Sequence, residues 1–373
     1  MSIERRDMDA GTRRGATALL ARAAVADVRA DERLRVAIDD FFLDEDARLD
    51  DRTRVAMAAV LGDLALGIEA ALRRYAARLL AARDAATLAE TLSAEAPAIL
   101  ERLVGSGLVR DSDLMRELFG RVRQDLLADA LPSDAPEDPD RASLLPRLAQ
   151  QGDSVVAASA IALLSAESRR RVPPAPGQPN PSDLPAELHH RLVWWIAAAL
   201  RERFAGGAGE ALPLLDRALA EAALRSIAAH DEGDRLEASA LRLAAALDPQ
   251  ANELPALLVE SLADRRLSLF VALLAHALGL DYGDAREIVL DPGGERLWLL
   301  LRALELDREA IARIGLALSD ADPRRDIDRF AEGLDAIVAV TPDAARHALA
   351  PLLLHRDYRA ALVALARHQD RVR

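Results

Sequence analysis

Leucine and alanine recur every three to four positions through nearly the whole chain, a spacing that leaves few folds open. Leu61, Leu64, Ala65, Ile68, Leu72, Tyr75 and Leu79 fall in steps that draw one apolar stripe down a helix. A half-buried strand would instead alternate apolar and polar residues. The spacing predicts a helix over Arg52–Arg83, either continuous or kinked near Gly62 or Gly67. Similar stripes run through Leu212–Leu224, Leu236–Leu247, Leu267–Leu278, Leu297–Leu304, Ile311–Leu318 and Ala344–Ala366, the last to be kinked or divided by Pro351. Hydrophobic residues make up 51% of the chain and aromatic residues only 3%, so the core must be aliphatic. Ala, Leu, Arg and Glu are strong helix formers, and no convincing strand is present.

Punctuation between the stripes agrees with this reading. Thr341-Pro342-Asp343 supplies a helix cap, a proline where no N–H is needed, and an acid at the positive helix end. Asp183, followed by Pro185 and Glu187, has the same form. Gly279 and Gly293-Gly294 stand where helices should stop. Short connections imply antiparallel helix pairs. The expected fold is therefore all-α, with stacked antiparallel pairs in an α-solenoid-like (HEAT-like) array. Asp113–Arg121 and Asp183–Arg191 both read D-L-x-x-E-L-x-x-R, which would suit two copies of one hairpin unit or arise by chance. Two proline-dense stretches, 132–140 and 172–183, cannot continue a helix and read as loops. Together these place an N-terminal helical domain at 1–171, a linker at 172–182 and a C-terminal helical domain at 183–373.

Missing residue types remove whole chemistries. The 48 basic residues are all Arg. Without Lys there is no Walker phosphate loop, no Schiff base and no protein-kinase signature. Without Cys there is no disulfide, thiolate nucleophile, iron–sulfur cluster or thiolate zinc site. A formal charge of −13 disfavours duplex DNA and anionic membranes as partners. No run reaches about 18 consecutive apolar residues, and the first fourteen residues carry no leader-like apolar stretch. The chain is expected to be cytoplasmic.

Three segments carry a resemblance: Ile38–Leu49 (IDDFFLDEDARL), Asp183–Ala199 (DLPAELHHRLVWWIAAA), and Leu267–Leu304 with the preceding Arg266. They resemble a bacterial family known only as a domain of unknown function, found mainly in alphaproteobacteria. The resemblance implies an all-helical, repeat-like cytosolic protein. It implies no activity and transfers no functional residues.

The densest chemistry lies at His189-His190-Arg191 and Trp194-Trp195. On a helix, Leu188, Leu192, Trp195, Ile196 and Ala199 share one face. Trp194 leaves on the other, beside His190, Ala197, Ala198 and Arg201. Either this helix is buried on both sides, or Trp194 belongs to an interface, where Trp and Arg are enriched. The two adjacent histidines diverge and make a poor metal site. His276, inside an apolar stripe, reads as a hydrogen-bonded core residue, and Gly206–Gly209 reads as a hairpin turn rather than an anion cradle. Arg169-Arg170-Arg171 either docks an acidic partner or complements a helix C-terminus.

The leading expectation is a non-catalytic protein–protein interaction or scaffold module. Its candidate contact residues are Trp194, His190, Arg191, Arg201, Arg169, Arg170 and Arg171. A protein partner is expected, and a second copy of the chain is an option. No catalytic, cofactor or metal site is assigned. The alternative is a helical enzyme or small-ligand binder with a pocket between helices near His189, Arg191 and Trp194.

Overall fold

A computed structural model describes residues 26–41, 50–94, 99–132, 142–171 and 182–372, with Gly15, Leu19 and Arg22 placed singly. The first fourteen residues and nearly all of the two proline-dense stretches lie outside the described residues. Among the described residues the structure is helical without a strand, and the helices pack in pairs. Contacts group the residues into two units, each assembled from separated segments. One holds 35–122 and 164–239; the other holds 1–34, 123–163 and 240–373.

The first of these units is organised on Asp51–Ala81, one continuous helix of 31 residues. Asp50 caps it, accepting from the Thr53 N–H at 2.9 Å and from the Thr53 hydroxyl at 2.7 Å. Met57, Leu61, Leu64, Ala65, Ile68, Leu72, Ala76 and Leu80 are buried, which realises the predicted stripe. That stripe packs against Leu212–Ala228, Ala186–Ala208, Ala86–Ala94 and Ile99–Ser106. Without a run of consecutive apolar residues, this helix is nevertheless long and apolar enough on average to cross a membrane. Its burial against four helices accounts for the same composition. Ala186–Ala208 and Leu212–Ala228 form a hairpin that turns at Gly209, where φ is +50°. Gly206 and Gly207 still belong to the first helix, so the turn is tighter than the glycine run suggests.

The other unit is built from successive short hairpins. Leu254–Ala263 packs on Leu267–Leu278, which packs on Tyr282–Leu290; Arg308–Ala321 packs on Ile327–Ala339, and Glu295–Ala303 on Pro342–Leu349. Leu267 through Ala275 are buried without a break, so the first nine residues of this helix have no solvent face. One turn design recurs at the helix ends. Arg265, Gly279 and Glu305 adopt φ of +57°, +65° and +63°. The next N–H in each case returns to a carbonyl five residues back: Arg266 to Ser261, Leu280 to Ala275, Leu306 to Leu301. After two of these turns an aspartate caps the next helix, Asp281 from the Gly283 N–H and Asp307 from the Ala310 N–H. The sequence L-x-L-D, at 278–281 and 304–307, encodes that whole junction. Pro351 divides the last predicted stripe: Pro342–Leu349 ends, a tight turn covers Ala350–Leu353, and Arg356–Val372 follows.

Candidate functional site

Ala186–Ala208 carries most of the residues singled out from sequence. Its buried face is wider than the period alone indicates. Leu188, His189, Leu192, Val193, Ile196, Ala197, Ala199 and Leu200 all face inward. Ala197, on the same face as Trp194 by period, is buried, and Trp195, on the face opposite, is only half-buried. His190, Ala198 and Arg201 are exposed, and Trp194 is half-buried beside them. One turn apart, Trp194 and His190 meet. The indole N–H points at His190 Nε2 from 3.2 Å, and the rings approach edge-on with centroids 6.3 Å apart.

Directly behind this edge, His189 stacks on His230 with ring centroids 4.2 Å apart and planes inclined by 14°. His189 Nε2 lies 3.4 Å from the Ser226 carbonyl oxygen, and His230 Nε2 lies 2.9 Å from that of Leu184. Burial, and secondarily the neighbouring His230, pushes the His189 pKa down to about 4. It is thus a neutral ring at neutral pH. His230 lies 41 positions along the chain, and nothing local to either residue announces the pair. The two rings stack face to face, which does not converge their nitrogens on a common ligand, and among the described residues no three metal-ligating side chains cluster.

The arginines separate into distinct roles. Arg191 reaches Asp111 at 3.0 and 3.2 Å and Asp113 at 3.4 Å, and these carboxylates hold its charge more firmly than usual. Arg201 pairs with Asp216 at 3.0 Å on the surface. The triplet Arg169-Arg170-Arg171 is not a single basic patch. Arg169 donates to the Asp234 carbonyl oxygen at 2.8 Å, and Arg171 is exposed. Arg170 is withdrawn from the surface, with only 5% of its side chain accessible. It donates to Asp183 (2.9 Å from Nε) and to Glu237 at 2.8 Å. Arg235 extends this buried chain of charges to Glu117 at 3.1 Å. Asp183, which the sequence offers as a helix cap, instead accepts from the Leu236 N–H at 3.2 Å; Pro185 stands at the helix start without a side-chain cap. The D-L-x-x-E-L-x-x-R echo also shifts register. Asp113 lies inside the first turn of Ser112–Ala130, capped by Asp111, whereas Asp183 precedes its helix by three residues. His276 lies 3.0 Å from Asp248 with its side chain 31% exposed, so it is a rim residue rather than a core one.

What remains on the outer side of Ala186–Ala208 is an aromatic edge, an exposed imidazole and charge-neutralised arginines. Residues 181–368 match the model of a family described as an uncharacterised protein conserved in bacteria (DUF2336). No curated protein and no solved structure matches the chain.

Proposed function

The chain belongs to the DUF2336 family of bacterial proteins, and on that footing we propose that it is a non-catalytic, cytoplasmic protein-interaction module. Its stacked helix pairs would form an α-solenoid-like, HEAT-like array that presents side chains to a protein partner. The observation that carries this reading is the state of Trp194. The ring is half-buried, and its indole N–H is turned to the exposed His190 of its own helix. A large, rigid aromatic fixed at a surface is the side chain most often central to a binding hot spot. A small-ligand pocket at the same place has less support. His189 is covered and stacked on His230, and Arg191 is committed to Asp111 and Asp113.

Capture of partners from the native cytoplasm, with wild-type chain and with Trp194→Ala, tests the reading. The expected result is a specific partner whose affinity drops at least about 30-fold in the variant, the loss that marks a hot spot. Equal recovery of the same partner by both proteins would show that Trp194 is not the contact.

A further inference from the structure

Arginines on and beside Ala186–Ala208 face carboxylates. Arg102 meets Glu202 at 2.6 Å, Arg191 meets Asp111 at 3.0 Å, and Arg201 meets Asp216 at 3.0 Å. Arg78 and Arg225, in the same unit, do not. Both are exposed, in the last turns of Asp51–Ala81 and Leu212–Ala228, and among the described residues neither forms an ion pair. Each lies instead over the ring of Tyr75, with guanidinium carbons 5.3 and 4.8 Å from its centre. A helix C-terminus favours a cation at its own end, which does not account for two cations drawn onto one ring. The negative face of the ring attracts both groups without neutralising either. Two full positive charges therefore stand together at the surface. Arg217, also exposed and without an ion pair, starts the i, i+4, i+8 series Arg217, Glu221, Arg225. Glu221 is taken by Arg83 at 3.4 Å. We propose that this stripe of unneutralised arginines binds an acidic segment of a protein partner, as a contact surface separate from Trp194.

Three arguments select that occupant. Arg217 and Arg225 stand about 12 Å apart along their helix. One small anion accepts from donors within about 3 Å and reaches only one end, whereas an extended chain with acids some four residues apart covers both. Single-stranded nucleic acid fits less well. It gains its hold by stacking bases on open aromatic faces, and the Tyr75 ring already carries guanidinium groups. The chain's formal charge of −13 repels any polyanion from afar. At physiological salt, however, charges more than about 8 Å apart are largely screened, so the local stripe decides the contact and makes it salt-sensitive.

Fluorescence anisotropy of a labelled, glutamate-rich peptide titrated with the full chain tests this. The peptide should bind, and the affinity should fall as salt rises. Arg78→Glu and Arg225→Glu should each weaken it at least about tenfold with unchanged helical circular dichroism. Arg225→Lys, which keeps the charge, should retain most of the affinity. Arg171→Glu makes the same change in net charge at an exposed position outside the stripe and should bind like wild type. No binding at low salt, equal losses from Arg171→Glu and Arg225→Glu, or tighter binding of a single-stranded oligonucleotide through Arg78 and Arg225 overturns the proposal. Trp194→Ala should leave the peptide affinity unchanged, so this result and the partner-capture result fail independently.

Discussion

Two single positions show how far side-chain environment departs from residue type. His189 reads, in sequence, as one of two adjacent, diverging histidines; it is buried against His230 and kept neutral. Its folded pKa, about 4, lies below the ordinary 6.5. Between these values the unfolded chain takes up a proton that the folded chain refuses, so stability is full above pH 6.5 and falls as pH drops through that window. The full loss is about 3 kcal/mol at pH 4. In chemical unfolding, wild type should lose about 3 kcal/mol relative to His189→Phe, which keeps a ring on His230, as pH falls from 6.5 to 4. Parallel curves across pH 4–6.5 would show that His189 does not carry the dependence. The second position is Gly315. A Cβ built there would stand 2.1 Å from Phe330 Cζ, and that ring lies against Trp298 with centroids 4.6 Å apart. Gly315→Ala, a favourable change on helix propensity alone, should therefore destabilise by about 1–3 kcal/mol in thermal unfolding. Neither fact was readable locally, because each depends on a ring brought in from elsewhere in the chain, Phe330 from another helix and His230 from the connection after Leu212–Ala228.

At the scale of the helix and its junctions the sequence was far more informative. Asp51–Ala81, Leu267–Leu278 and the break at Pro351 follow directly from period and punctuation. Width of burial did not: Ala197 and His189 lie inside because Ala186–Ala208 touches several helices, whereas a period reports only one face. The recurring left-handed turn makes a prediction of its own. Arg265 holds φ at +57° without a glycine's freedom. Arg265→Gly should raise stability by about 0.5–1 kcal/mol, the relief of backbone strain less the entropy cost of glycine. A lowered melting temperature would mean that the Arg265 side chain contributes more than its backbone costs. Arg170 marks the opposite case, where a basic triplet that reads as a docking patch contains a structural charge. It joins the end of Ser154–Arg171 to Asp183 and to Glu237 at the start of Leu236–Leu247. Arg170→Ala takes the shared cation from buried Glu237, which keeps Arg235, and from half-buried Asp183, and should cost about 3 kcal/mol, the lower end for breaking a buried pair. Arg171→Ala, one residue on and exposed, should cost little.

For the whole chain, local signals lose their authority, since assembly of each unit depends on contacts between distant segments. Cutting the sequence at its proline-rich stretch yields two contiguous halves, and the family match from residue 181 onward encourages the same division. The contacts gather residues differently. Asp51–Ala81 lies in the same unit as Ala186–Ala208 and Leu212–Ala228 and packs on both. Leu192, Ile196, Leu215 and Leu219 are each at most 2% exposed in the full chain. A fragment of residues 183–373 keeps these side chains but loses Asp51–Ala81, which packs on both of the helices that carry them. Exposing four leucine-sized side chains forfeits roughly 1.5–3 kcal/mol each, comparable in sum to the stability of an entire domain. The fragment alone should accordingly bind a hydrophobic dye and melt without a sharp transition, at least over residues 183–239. Adding residues 1–171 in trans should quench the dye and restore a cooperative melt, because the missing partner of those leucines returns. A fragment that melts sharply by itself, with no dye binding and no response to 1–171, would mean that the family-matched region is self-sufficient and that Asp51–Ala81 is an accessory to its core.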